Sequence, residues 1–282
     1  MSNGEYLMNT AKPRLGIDIG GTNTKLAVLH PGGEILTAIY PSGKDPVSSV
    51  HALLDRFLEE HALRASDLSR VVLTGQRATF IKEDLLGLPT SIADEIRSIG
   101  LGGLYLSGLE EALVVSMGTG TAYVLARKDG CEHIGGSSLG GGTIAGLASR
   151  FLGIHSYDEL VSLAVQGNWR KADLMIGDLQ GGAGSNLDPD LTASNFGNIK
   201  SDAADCDIAA ALFHLIFENT GVFSFFALHG SPVRNVVLTG ALAENPLVQD
   251  SFDIFNRKTE IFNLRVMVPD RATFAPVIGA LL

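Results

Sequence analysis

LGIDIGGTNTKLAVL, residues 15–29, sets one acid and a glycine pair inside an otherwise apolar run. A core strand ordinarily excludes glycine, which packs nothing and loses the most backbone entropy on ordering. Gly20 and Gly21 between two apolar halves therefore predict two strands meeting at a polar tip. At such a tip the bare backbone lets N–H groups approach a ligand, and the Thr22 and Thr24 hydroxyls have the reach for phosphate oxygens. Asp18, just before the tip, is placed to hold a hydrated Mg²⁺ on the same phosphates, and Lys25 adds one local positive charge. The same letters also suit an ordinary hairpin with a D-x-G-G turn.

A second stretch speaks against the ordinary hairpin. EALVVSMGTGTAYVLAR (111–127) repeats the grammar of strand, glycine–threonine tip and strand, with Ser116, Gly118, Thr119, Gly120 and Thr121 carrying the same chemistry. Two α/β lobes follow, 1–110 and 111–282, each founded on a hairpin with a polar tip. A cleft with a phosphate-binding hairpin on each wall is what a nucleotide kinase or ATPase of the actin/hexokinase superfamily needs. IGGSSLGGGTIAGLASRFLG (134–153) is the third element, a glycine-rich stretch running into a helix. Amides at a helix N-terminus, aided by the dipole, bind anions or the edge of a nucleotide. The pattern is not G-x-x-x-x-G-K-[ST], and no G-x-G-x-x-G follows the first strand, so P-loop and Rossmann readings fall away.

Between these landmarks the periodicities are plain. HPGG at 30–33 is a turn before a strand at 34–40, and Val50, Leu53, Leu54, Phe57 and Leu58 mark an amphipathic helix over 46–63. SRVVLTG (69–75) and NVVLTG (235–240) read as short buried strands. A helix is expected within 91–106 despite its glycines, with others near 143–153, 156–166, 203–229 and from Asn245, and a final strand near 261–268.

Composition bounds the function. The 282 residues are 45% hydrophobic and 18% charged, enough for a sizeable core. A net charge of −10 argues against nucleic acid and anionic membrane surfaces as partners. Cys131 and Cys206 make neither a disulfide framework nor a zinc-like spacing. MSNGEYLMNTAK lacks a basic segment followed by an apolar one, and ALFHLIFENTGVFSFFALHG, broken by His214, Glu218 and Asn219, reads as a buried helix rather than a membrane span. A cytoplasmic location is the expectation.

With these residues in view the chain resembles the type II pantothenate kinases, of the acetate/sugar kinase and actin superfamily. The resemblance rests on GIDIGGTNTK, VVSMGTGT, GGSSLGGGTIAGL, the acid of PTSIADE, DLTASNFGN (190–198) and NVVLTGALAEN. It implies a two-lobed actin/hexokinase-like, ribonuclease H-like fold with ATP in the cleft, Mg²⁺, a homodimer, and phosphoryl transfer to the terminal hydroxyl of pantothenate. It further implies that Gly20, Gly21, Thr22, Asn23, Thr24 and Lys25 form the first phosphate loop, with Asp18 near the metal. Thr119, Gly141, Gly142, Thr143, Ile144, Ala145, Tyr157 and Ala241 become nucleotide contacts, Ser116 a substrate contact and Glu95 the general base.

Two positions depart from the family pattern. An arginine that helps bind pantothenate is replaced by His133, which is shorter and lacks the bidentate fork. Either His133 or nearby Arg97 then meets the substrate differently, or the acceptor is another small alcohol. Pro276 stands where the family tends to have glycine. Two further alternatives are a nucleotide-binding protein without transfer and an ATP-driven activator. Retained Glu95 speaks against the former, and the two cysteines suit no cluster of the latter.

Overall fold

In the first lobe of the computed structural model, β1 (Arg14–Ile19), β2 (Asn23–Leu29) and β3 (Ile35–Pro41) form an antiparallel meander. There follow α1 (Pro46–Glu60), β4 (Arg70–Thr74), β5 (Thr90–Ile92) and α2 (Glu95–Ser107). β4 and β5 add in parallel beyond β1, so the sheet order is β3-β2-β1-β4-β5. Residues 12–179 and 188–282 are described; residues 1–11, on which the reading of the N-terminus largely falls, lie outside them.

The second lobe reuses this plan. β6 (Glu111–Met117), β7 (Thr121–Arg127) and β8 (Gly130–Ser137) form its meander. Then come α3 (Gly141–Leu152), α4 (Tyr157–Ala164), β9 (Leu174–Met175), α5 (Ile176–Leu179), β10 (Thr192–Ser194) and α6 (Asp205–Ala227). The chain closes with β11 (Asn235–Thr239), α7 (Val248–Arg257), β12 (Arg265–Met267) and α8 (Ala275–Gly279). The sheet order β12-β11-β6-β7-β8 is the first lobe's order read from the other end, and β9 and β10 pair separately.

The register shows how deep the duplication runs. Asp18 lies opposite Lys25 on β2 and Thr74 on β4, while Ser116 lies opposite Ala122 on β7 and Thr239 on β11. β4 and β11 both end in VVLTG, and both glycines are left-handed, Gly75 at φ 89° and Gly240 at φ 86°. A Cβ on Gly240 would sit 2.6 Å from the Met117 carbonyl oxygen, so this turn has no room for a side chain.

Each lobe's last helix covers the other lobe's sheet. Ile99 and Leu104 of α2 pack on Val114, Val124 and Val237, whereas Val277 and Ile278 of α8 pack on Ala27, Leu29 and Val72. The two helices meet backbone to backbone. A Cβ on Gly102 would stand 1.8 Å from the Ala275 oxygen, and one on Gly279 would stand 1.9 Å from the Ser98 oxygen. The glycines that weaken α2 as an isolated helix are therefore its packing face. Pro276 sits in the first turn of α8, where its missing N–H costs nothing.

Several elements differ from expectation for tertiary reasons. Residues 90–92 are a strand paired with β4, and α2 begins at Glu95 because the Asp94 carboxylate caps it, accepting from the Arg97 N–H at 2.7 Å. The stretch opening at 134 is first an edge strand, since β7 supplies hydrogen bonds that its glycines alone would not have predicted. The final strand is only β12, and α8, β9 and β10 were not anticipated. Helix α6 is apolar all round; by length and composition it could cross a membrane, yet Phe213 and Phe217 are fully buried within the lobe. Its far end leaves Phe223 and Phe226 exposed, at 41% and 63%.

Candidate active site between the lobes

The first wall is the β1–β2 tip. Gly20 N–H donates to the Asn23 carbonyl at 3.1 Å, closing the turn, while Gly21 and Thr22 are exposed. Ser42, just past β3, braces the tip from behind. Its N–H donates to the Thr22 oxygen at 2.8 Å and its hydroxyl to the Gly20 oxygen at 2.9 Å. Thr24 is buried and its hydroxyl bonds to that of Ser42 at 2.8 Å, so it holds the loop rather than facing the opening. Lys25 Nζ donates to Asp18 Oδ2 at 2.9 Å, and both side chains are nearly buried.

Asp18 faces the side of the sheet covered by α8, because Gly16 two residues earlier touches Val277. Its other oxygen borders Gly75, where a Cβ would lie only 2.4 Å from Oδ1. Glycine thus keeps the space beside that oxygen open. Thr74, its neighbour across the ladder, has a buried hydroxyl with no partner among the described residues.

Glu95 is the first helical residue of α2 and is half-buried. Burial raises its carboxyl above the ordinary value of 4.5; Asp18 and Asp94 push the same way, and Lys25 opposes them. These couplings place Glu95 within electrostatic reach of the Asp18–Lys25 pair. Residues distant in sequence therefore act on one another's charge, with Lys25 and Asp18 in direct contact.

The second wall is the β6–β7 tip, and the glycine-rich stretch docks onto it. Gly141 and Gly142 N–H groups donate to the Gly118 and Thr119 carbonyls at 2.8 and 3.0 Å. Thr143 and Ile144 N–H groups both donate to the Gly140 oxygen. The first-turn amides of α3 are thereby satisfied within the protein, which corrects the expectation that they are free for an anion. What the glycines provide is contact. A Cβ on Gly140 would lie 2.6 Å from the Thr119 oxygen. Ile144 is buried in the lobe core, so its side chain is not at a surface, whereas Thr119 and Ala145 are exposed.

Other expected residues gather at this wall. Exposed Ala241 follows Gly240, and Leu242 N–H donates to the Met117 oxygen at 3.1 Å. The Tyr157 hydroxyl accepts from Asn245 Nδ2 at 2.8 Å, which ties α4 to the 240–245 turn. Ser116 occupies the position equivalent to Asp18, so the second wall is neutral there.

His133 stands apart from both tips, on edge strand β8. It pairs with Val124, which packs under α2, so the His133 side chain is on the α2 face. Cys131, two residues earlier, bonds through Sγ to the Arg97 oxygen at 3.8 Å, fastening this strand to the start of α2. His133 and Arg97 are both exposed, on neighbouring elements at the α2 end that carries Glu95.

Ser42, Thr74 and Asn245 were missed by sequence reasoning. The recurrence of VVLTG at 71–75 and 236–240 could have pointed to Thr74. Asn245 closes NVVLTGALAEN, where the sequence marks only a helix start; nothing local marks Ser42.

A model of the family described as Fumble matches residues 111–254, from β6 into α7. The chain belongs to the Fumble family. This Fumble-family chain is similar to a type II pantothenate kinase of Oceanobacillus iheyensis, 29% identical over 278 residues, covering 95% of this chain and 98% of the relative. A type II pantothenate kinase of Bacillus cereus (strain AH820) is 27% identical over 262 residues, covering 88% and 91%. Among solved structures, the activator of the 2-hydroxyisocaproyl-CoA dehydratase from Clostridium difficile, with bound ADPNP, superposes with a TM-score of 0.67 at 17% identity, over 95% of this chain and 92% of that one. A ROK family glucokinase from Streptomyces griseus, in complex with glucose and AMPPNP, gives 0.61 at 14% identity, over 95% and 97%. The fold of this Fumble-family member is thus two-lobed and actin/hexokinase-like, as its sequence implied.

Proposed function

We propose that this chain is a cytoplasmic, ATP-dependent kinase that phosphorylates the terminal hydroxyl of pantothenate. The observation that carries the reading is Glu95, a carboxylate of raised proton affinity that feels the charges of the buried Asp18–Lys25 pair at the foot of the first glycine-tipped hairpin. Family membership and the names of the relatives supply the substrate class. In this reading the Glu95 carboxylate accepts the proton of the substrate hydroxyl. The hydroxyl oxygen bonds to the γ-phosphorus while its bond to the β-phosphate oxygen breaks, and ADP leaves.

The donor set fits a nucleotide with its metal. Asp18 is a hard oxygen ligand whose Oδ1 borders the space that glycine at 75 keeps open, which is what Mg²⁺ requires of a protein site. Mg²⁺, when bound, supplies neutralisation of charge on the phosphates. Lys25 adds a cation to that wall, Gly20 to Asn23 supply its backbone, and Thr119, Ala241 and Tyr157 lie on the opposite wall. His133 and Arg97 are assigned to the carboxylate end of the acceptor. The exposed Phe223 and Phe226 on α6 are assigned to a homodimer contact, which light scattering tests by mass.

The deciding experiment offers ATP with pantothenate, pantetheine and a panel of sugars, and identifies products by mass spectrometry. Formation of 4′-phosphopantothenate is expected. Phosphorylation of a neutral alcohol with none of pantothenate would move the assignment to another acceptor, a reading that His133 specifically favours.

A further inference from the structure

Asp173, His214 and Glu218 converge inside the second lobe, and none of them belongs to the two walls described above. Asp173 is fully buried, just before β9; His214 and Glu218 lie one turn apart on α6. His214 Nε2 is 3.8 Å from Asp173 Oδ2 and 3.6 Å from Glu218 Oε2, and the three ligand atoms lie within 4.8 Å of one another.

The imidazole is held in place from two sides. Its ring stacks on Trp169 at 3.5 Å and 12°, and Nδ1 meets the Ser251 hydroxyl at 3.3 Å. His214 is only 4% exposed, yet Nε2 has no hydrogen-bond partner among the described residues. In the tautomer that donates the Nδ1 proton to Ser251, the lone pair of Nε2 faces two carboxylates. That arrangement is unfavourable unless something positive sits between them.

No side-chain cation of the described residues fills that role. The carboxylates are bridged by a neutral amide, Asn195 Nδ2, at 3.2 Å from Asp173 and 2.8 Å from Glu218. Phe196 N–H donates to the other Asp173 oxygen at 2.7 Å, and Asn219 orients Asn195 at 3.0 Å. Arg170, stacked over the Trp169 ring and 3.7 Å from Asp190, acts on Glu218 only from a distance and makes no ion pair with either carboxylate of the cluster. One imidazole and two carboxylates are the donor chemistry of first-row divalent cations, zinc above all. Tetrahedral bonds of about 2.0–2.2 Å put ligand atoms about 3.4 Å apart, a few tenths of an ångström inside the two distances from His214 Nε2, so the carboxylates, within 4.8 Å of each other, must draw together around the ion.

We infer that Asp173, His214 and Glu218 bind a zinc-class divalent cation that clamps the start of β9 to α6. Ser251 orients the imidazole from its far side, and Asn195 holds the two facing carboxylate oxygens, as outer partners of metal sites do. The inference does not depend on the assignment of pantothenate, because the site lies outside the proposed transfer centre.

The test uses the full chain, stripped with a chelator and titrated with ZnCl₂ by calorimetry, and with CoCl₂ by visible absorption. One equivalent of bound metal, with tetrahedral cobalt bands, is expected. His214→Gln and Glu218→Gln should each weaken zinc binding more than tenfold and abolish the cobalt bands, while nucleotide binding reports that the fold is intact. If either variant fails to fold, Ser251→Ala, an orienting partner, should still weaken binding roughly 10- to 100-fold. Wild-type protein that takes up neither metal, the result expected if a proton is shared by Asp173 and Glu218, would overturn the inference. Uptake with unchanged affinity in the variants would overturn it too.

Discussion

Asp18 and Ser116 are structural equivalents, each the penultimate residue of its lobe's first strand and each opposite a threonine that precedes a left-handed glycine. One framework has thus been used twice, with a different side chain at its centre. The first lobe carries an acid paired with Lys25; the second carries a hydroxyl opposite Ala122. At this position the charge lies on the first wall alone, and the proposed function follows that asymmetry.

Glu95→Gln tests the base. Turnover should fall roughly 10²-fold or more while nucleotide affinity stays within about twofold, because loss of a general base is felt in the transition state. In wild type the acidic limb of kcat should have a midpoint above the ordinary glutamate value of 4.5, since burial and Asp18 favour the protonated form. The stability linkage runs the same way. A raised folded-state pKa contributes stability that is fully present below pH 4.5 and lost as pH rises through the raised value. Thermal melts of Glu95→Gln should therefore gain on wild type over that window and keep the gain above it. A parallel pair of melting curves across pH would remove Glu95 from the buried centre.

Asp18→Asn separates metal chemistry from architecture. Activity should fall and recover in part as Mg²⁺ is raised, because a charged hard oxygen is gone but the site is not blocked. Stability should drop by about 1.5–3 kcal/mol, the usual worth of a hydrogen bond to a charged group, since Lys25 at 2.9 Å loses its counter-ion in a nearly buried setting. An unchanged Mg²⁺ titration would refute the metal role.

His133→Arg addresses the acceptor. Placing a guanidinium on the α2 face of β8 should lower the KM for pantothenate by roughly 5- to 100-fold, equivalent to about 1–3 kcal/mol for a charge-assisted pair, with little change in kcat. A KM that does not move would show that the carboxylate end of the acceptor is held elsewhere, with Arg97 the next residue to vary.

Gly102→Ala probes the helix exchange. Alanine ordinarily favours a helix interior by about 1 kcal/mol over glycine. At this position its Cβ would sit 1.8 Å from the Ala275 oxygen, so the variant should lose about 1–3 kcal/mol by overpacking. Gly146→Ala on α3, with nothing within 4 Å of its Cβ, is the control and should gain stability. Urea unfolding of the pair gives the comparison directly.

Both hairpins, their polar tips and the α1 stripe of Val50, Leu54 and Phe57 could be read directly from residue order. Each is a local pattern, a period of two or of 3.6 interrupted by glycine, and such patterns record which backbone a segment favours. Family membership rests on residues 111–254, which include the second hairpin but not the first. Residue order could not reveal that α2 leaves its own lobe to cover β6 and β7, because its apolar face suits either sheet and only the backbone contact with α8 selects one. Nor could it show that the Gly141 and Gly142 amides are taken by the Gly118 and Thr119 carbonyls, or that residues 130–137 become a strand. Asp173, separated from His214 by the whole 190–198 segment, meets it only after β9, β10 and α6 have packed. Local preference is written residue by residue; which distant groups must share a buried space is settled by how the chain closes on itself.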